Sequence, residues 1–123
     1  MHHVIIGNGP AGVIAAEAVR KLDAEARITL IGDEPEPPYS RMAIPYFLVD
    51  NIAEEGTYLR KRDGHFDELG VTLLQDRVVS LSAADRTLTL EQGGVAPYDR
   101  LLIATGSRAV VPPIPGIDSP GVH

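Results

Sequence analysis

Val4-Ile5-Ile6-Gly7-Asn8-Gly9-Pro10-Ala11-Gly12-Val13-Ile14-Ala15-Ala16 is the stretch that decides the fold. The run from His3 to Ile6 is short and mostly apolar, as a strand buried on both faces requires. It stops at Gly7, and the pattern then turns helical. Ala11, Ile14, Ala15, Ala18 and Leu22 recur at steps of three and four and are expected to form the buried face of a helix. Pro10 suits the first helical turn, where its missing N–H is not needed. Glu17 and Lys21 stand one turn apart, in the order that favours an ion pair along the helix.

Between strand and helix, Gly7-Asn8-Gly9-Pro10-Ala11-Gly12 fits the spacing G-x-G-x-x-G. Gly7 permits a tight turn out of the strand. Gly9 lets a pyrophosphate come up to the backbone, and Gly12 lets the helix pack closely on the strand. The positive end of the helix and its free N–H groups then face the phosphates. A glycine-rich turn without a ligand is the other reading. The strand before the loop and the helix after it favour a dinucleotide site.

Further along, Arg27 to Ile31 reads as a second strand ended by Gly32. Asp33-Glu34-Pro35-Glu36-Pro37-Pro38 is irregular because proline blocks both helix and ladder hydrogen bonds. Tyr39 to Asp50 holds a short helix or a loop, and Arg62 to Leu69 a short helix closed by Gly70. Val71 to Leu74 is a third strand. Val78 to Leu81, Thr87 to Glu91 and Val95 to Tyr98 form an antiparallel meander with Ala84-Asp85 and Gly93-Gly94 as turns. Leu101 to Ala104 is a last buried strand. Strands joined through a helix cross over right-handedly. The fold class is therefore α/β: a Rossmann-like dinucleotide-binding fold, with a parallel sheet and an attached antiparallel β meander.

An acid about 20 residues beyond a glycine loop of this kind commonly binds the adenine ribose. Here the residue that ends the strand is Gly32. Asp33 or Glu34 would take that role after a small shift, or both are solvated loop charges. No arginine follows the strand to receive a 2′-phosphate.

The bulk numbers narrow the class. The 123 residues fit one domain with a modest core. The net charge of −6 argues against nucleic acid or an anionic membrane as the main partner. The absence of cysteine excludes disulfides, a redox dithiol and thiolate metal ligands within this sequence. His2, His3, His65 and His123 show no metal-ligand spacing, so no metal is expected. With no basic-headed signal segment and no long apolar run, a cytoplasmic location is the expectation.

Two further segments carry a resemblance. Tyr98-Asp99-Arg100-Leu101-Leu102-Ile103-Ala104-Thr105-Gly106-Ser107-Arg108, followed by Pro112-Pro113-Ile114-Pro115-Gly116, closely resembles the segment that ends the first FAD-binding stretch in the pyridine nucleotide-disulfide oxidoreductase superfamily. Pro38-Tyr39-Ser40-Arg41 is similar to an element of the ferredoxin, rubredoxin and NADH-nitrite reductase flavoproteins. The resemblance implies FAD as cofactor. Gly7, Gly9, Pro10, Ala11 and Gly12 would line the pyrophosphate, and Asp33 and Glu34 would lie near the adenosine ribose. Arg41 would stand near the pyrophosphate or the flavin, or would simply pair with nearby acids on the surface. Val78 falls where the family holds adenine through backbone atoms. Ala104, Thr105 and Gly106 would pass close to the cofactor. For Val78 and Ala104 the alternative is plain strand packing.

Two departures narrow the branch. Where coenzyme A-disulfide reductases and NADH oxidases read Cys-Gly-Leu-Pro-Tyr, this chain has Met42-Ala43-Ile44-Pro45-Tyr46, and Met42 cannot form a nucleophilic thiolate. Where ferredoxin reductases have a Ser-Lys pair, Pro45 and Tyr46 stand. The reading therefore leans toward the nitrite reductase flavoproteins. The resemblance implies residues 1–110 as an incomplete FAD-binding domain and 111–123 as a linker toward an NAD(P)H domain absent from this sequence. The implied activity is hydride transfer from NAD(P)H to FAD and onward electron transfer. The expected partners are FAD and either a redox partner protein or a complementary chain, with a homo-oligomer open. The alternatives are a non-catalytic module for FAD or adenine nucleotide, and a fragment that associates with another chain.

Overall fold

The structure, a computed structural model, describes residues 1–108 and 110–121. Four parallel strands form the central sheet: β1 (His2–Ile6), β2 (Arg27–Gly32), β3 (Val71–Gln75) and β7 (Arg100–Ile103), in the order β3-β2-β1-β7. The order reverses beside β1, where the chain adds β2 and β3 on one side and returns at Arg100 on the other. Strands β4 (Val78–Ser82), β5 (Thr87–Leu90) and β6 (Val95–Pro97) form the separate antiparallel meander. The helices are α1 (Pro10–Leu22), α2 (Ile44–Leu48) and α3 (His65–Glu68). Short 3₁₀ turns occupy Arg41–Ala43 and Glu54–Thr57. Residues 111–121 hold no helix or strand. Among the described residues no helix is long and apolar enough to cross a membrane.

The alternation of side chains along β1 and β2 divides the core in two. Ile5, Ile28 and Leu30 point to one face, where Val13 and Ala16 of α1 cover them with Ala26 and Val71. Val4 and Ile31 point to the other, where Leu88 and Leu90 of the meander meet them. Strands β1 and β2 are thus covered on both faces, which explains their near-continuous apolar runs, whereas the last strand, expected to be buried, has Leu102 and Ile103 exposed.

The buried face of α1 differs from the expected one. Gly12, Val13 and Ala16 are buried, whereas Ile14 is 57% and Leu22 88% exposed. Apolar residues run most of the way round this helix, so periodicity alone allows more than one face. Gly12 selects it, because there the helix comes nearest the strand. Nor does Glu17 pair along the helix with Lys21. Arg60 reaches it with Nε and Nη2 at 2.7 and 2.6 Å, and His65 Nε2 lies 2.9 Å from the same carboxylate. A bidentate guanidinium is the stronger partner, and it ties α1 to the segment that leads into α3.

The Arg60 hydrogen bonds hold the Glu17 carboxyl below its usual pKa, against the opposing effect of burial, with His65 adding to the lowering. A depressed folded-state pKa means that this carboxylate stabilises fully above the ordinary carboxylate pKa, and that the contribution is lost as pH falls through the depressed value. Glu17→Gln is therefore expected to be less stable than the parent at pH 7. The difference in urea midpoint should close at an acidic pH where the carboxyl is protonated both folded and unfolded. An unchanged difference between the two pH values would refute the assignment.

Arg20 makes the densest polar contact on this side. Its guanidinium donates to five backbone carbonyls: Leu69 at 2.6 Å, Ala24 at 2.5 Å, Ala26 at 2.7 Å, Gly70 at 3.2 Å and Asp23 at 3.3 Å. These belong to the turn after α1 and the turn after α3, two chain ends that deliver β2 and β3. Gly70 has φ +61° and closes α3 as expected. On the other side of the sheet, buried Asp76 shapes the passage from β3 to the meander: its carboxylate accepts from the Arg77 N–H at 2.7 Å and the Gln92 N–H at 3.4 Å. His2 is an ordered part of β1, with Nε2 2.9 Å from Thr29 Oγ1 and its N–H on Asp99 at 2.6 Å.

Candidate functional site

The glycine loop lies at the carboxyl end of β1, where the strand order reverses, the place where open α/β sheets bind their ligands. Its three glycines meet different surroundings. Gly7 has φ +107°, and a Cβ there would lie 2.2 Å from the Ala104 carbonyl oxygen. A Cβ on Gly12 would lie 1.9 Å from the Gly7 carbonyl oxygen and 3.2 Å from Leu30 Cδ1. A Cβ on Gly9 would meet nothing within 4 Å, and its backbone is ordinary, with φ −74° and ψ −173°. Gly7 and Gly12 are therefore required by the packing of the chain itself, and Gly9 is not.

Gly9 precedes α1 and supplies no side-chain cap, and no acid stands in the first turn. Pro10 and Ala11 are exposed beside it. This end of a 13-residue helix keeps its positive partial charge uncompensated by protein. Arg20 and Lys21 complement the opposite end.

Ala104, Thr105 and Gly106 follow β7 directly against this loop. The Ala104 N–H bonds the Ile6 carbonyl at 2.7 Å and the Gly7 N–H bonds the Ile31 carbonyl at 2.7 Å, which fixes the ends of β7, β1 and β2 together. Thr105 and Gly106 are exposed, the latter with φ +70°.

On the β2 side a cleft of about 300 Å³ opens between Asn8, Gly32, Glu34, the prolines 35, 37 and 38, and the ends of β2 and β3. Glu34 lies in its wall, half-buried, and both of its oxygens are engaged. Tyr39 Oη–H donates to one at 2.5 Å, and Arg41 pairs with the other. The Tyr39 hydrogen bond and then Arg41 hold the Glu34 carboxyl below its usual pKa, against burial. The same contact raises the Tyr39 phenol. Asp33 is exposed, with Arg77 Nε at 3.8 Å. Val78 sits on the meander, half-buried and paired with Leu90, and packs against the Val4–Ile31 core.

The structure thus brings together the glycine loop, Ala104 to Gly106, and Glu34 with Arg41. Val78 joins them only through the neighbouring Arg77–Asp33 pair. Sequence reasoning passed over Asn8, whose side chain lies over Gly32, and Tyr39, which orients Glu34. The signal available for Asn8 was the missing acid at the end of β2.

The profile of the pyridine nucleotide-disulphide oxidoreductase family matches residues 1–123. The ferredoxin reductase component of a chlorobenzene dioxygenase from Cupriavidus sp. is 38% identical over 122 residues, 98% of this chain and 30% of the relative. Nitrite reductase [NAD(P)H] from Bacillus subtilis is 32% identical over 120 residues, covering 97% of this chain and 15% of that protein. Among solved structures, a ferredoxin reductase from Rhodopseudomonas palustris superposes with a TM-score of 0.86 at 30% identity, over 98% of this chain and 30% of the other. The chain spans less than a third of the length of these relatives. Both branches that the sequence pointed to are represented, and the match to the family runs the whole length: this chain belongs to the pyridine nucleotide-disulphide oxidoreductase family.

Proposed function

We propose that this chain is the FAD-binding portion of an NAD(P)H-dependent flavoprotein oxidoreductase. The observation that carries this reading is the contrast among the glycines. Two are jammed against backbone, and the third leaves open space at the uncompensated positive end of α1. A Cβ at Gly9 would meet no atom of this chain within 4 Å, so the lack of a side chain there serves an approaching ligand. A pyrophosphate suits that space, and the position at the strand-order reversal suits a dinucleotide.

In this reading Gly7, Gly9, Pro10, Ala11 and Gly12 hold the pyrophosphate, and Ala104, Thr105 and Gly106 flank it. Asp33 and Glu34 stand on the adenosine side with Arg41 held between carboxylate and phosphate, and Val78 offers backbone atoms to adenine. The bound flavin supplies the redox chemistry, accepting hydride from NAD(P)H and passing electrons to an acceptor such as a ferredoxin-type protein. NAD(P)H and the acceptor would be handled by segments beyond these residues.

The test is equilibrium titration of the chain with FAD and with ADP. Gly9→Ala is expected to leave the melting temperature unchanged or slightly raised, because Ala accepts this backbone conformation. Affinity for both ligands should fall about tenfold or more, a loss of about 1.4 kcal/mol. A parent chain that takes up neither ligand, or a Gly9→Ala variant that binds like the parent, would refute the reading.

A second reading is favoured by β7. It is an edge strand, with Leu102 42% and Ile103 58% exposed. Such a strand can be covered by a complementary chain or a second copy. Light scattering that shows a monomer at high concentration would count against it.

A further inference from the structure

The geometry points to Asn8 as the residue that reads the ribose hydroxyls of the bound adenine nucleotide, in place of the acid that this strand end lacks; this rests on the nucleotide-binding reading above. A Cβ on Gly32 would lie 2.4 Å from Asn8 Cγ and Nδ2 and 2.6 Å from Oδ1. The Asn8 side chain therefore occupies the space an acid at position 32 would enter. Gly32 has no positive φ, so its backbone would accept a side chain, and the atoms nearest to one are those of the Asn8 carboxamide, which would have to turn away to admit it.

Asn8 and Gly32 line the same cleft, at the ends of β1 and β2. Among the described residues the Asn8 carboxamide makes no hydrogen bond, which leaves an acceptor oxygen and two N–H donors for a ligand. The nearby acids are less suited. Glu34 has one oxygen on Tyr39 and the other on Arg41. Asp33 is exposed and faces Arg77. A vicinal diol presents both donors and acceptors, and a carboxamide can answer both, where a carboxylate only accepts. Asn8 is itself part of the glycine loop, between Gly7 and Gly9, so a group held here adjoins the place of the pyrophosphate.

The deciding experiment is calorimetric titration of the parent chain and Asn8→Ala with ADP and with 2′,3′-dideoxy-ADP. The parent is expected to prefer ADP about tenfold, the scale of one or two hydrogen bonds. Asn8→Ala, with its melting temperature retained, should bind both nucleotides alike at the dideoxy level. Asn8→Ala/Gly32→Glu, in which the space over position 32 is vacated and an acid restored, should recover the preference. Equal binding of the two nucleotides by the parent, or an Asn8→Ala variant that still prefers ADP, would overturn the role of Asn8 while leaving the nucleotide site standing. A parent chain that binds neither nucleotide would overturn the site itself. If Asn8→Ala fails to fold, Asn8→Leu, close to asparagine in size and without donor or acceptor, takes its place, and a retained preference for ADP in that variant overturns the role of Asn8 in the same way.

Discussion

Gly12→Ala is expected to destabilise the chain by about 3 kcal/mol or more, as forced overpacking against backbone does. The new methyl would lie 1.9 Å from the Gly7 carbonyl oxygen. That oxygen cannot swing aside cheaply. The Gly7 N–H is bonded to Ile31, and the other side of Gly7 is closed by the Ala104 carbonyl. The helix must therefore lift off the strand, and Val13 and Ala16 lose their seat on Ile5 and Leu30. Against a total of roughly 5–15 kcal/mol for a domain of this kind, the loss is large. Urea unfolding of Gly12→Ala beside Gly9→Ala makes the comparison internal, since the same substitution three residues away meets open space. A Gly12→Ala midpoint equal to the parent's would show that α1 does not press on the loop as described.

Arg20→Met is expected to cost about 2–4 kcal/mol. Hydrogen bonds from a charged donor contribute about 1.5–3 kcal/mol each where water is excluded, and less where the carbonyl is exposed. Two of the five carbonyls, Leu69 and Ala26, are part-buried, while those of Asp23, Ala24 and Gly70 are exposed. The methionine keeps the apolar stem and leaves those carbonyls without their donor. Arg20→Lys should recover little of the loss, because an ammonium cannot span two turns with a planar fork. If the lysine variant matches the parent in urea midpoint, charge rather than geometry holds this corner.

The sequence disclosed what is local and hid what is not. The strand–loop–helix at residues 3 to 22 was legible because the apolar run, the glycine spacing and the helical period follow one another within a single short stretch. The strand runs were legible because burial on both faces leaves little room for polar residues. The orientation of α1 was not, because Ile14 and Leu22 are as apolar as Val13 and Ala16 and nothing in the periodicity ranks them. Glu17 was assigned to Lys21 because that neighbour is visible in the chain, while Arg60 lies 43 residues on. The proline-rich stretch after β2 carries no period at all, so the sequence offered Arg41 a pairing with nearby acids, as the structure has it, without naming Glu34 as the acid or Tyr39 as its second partner. Gly32 stood out in the sequence only as a missing acid and Asn8 not at all, and the two acquire a joint meaning only when the strand ends are placed side by side.

Arg100 of β7 is added 97 residues after His3 of β1, yet the two strands are hydrogen-bonded neighbours in parallel register from His3–Arg100 to Ile6–Ile103. On a ribosome adding roughly 5–20 residues per second, the first strand waits roughly 5–20 s for its partner. Until then one rim of β1 is open, and Val4, which the finished meander buries, has no cover. Such non-local pairing slows folding and leaves the nascent chain sticky during the wait. Synthesis rate and chaperone supply should therefore govern the yield of this protein more strongly than its final stability does, and arresting translation before and after Ile103 would separate the two.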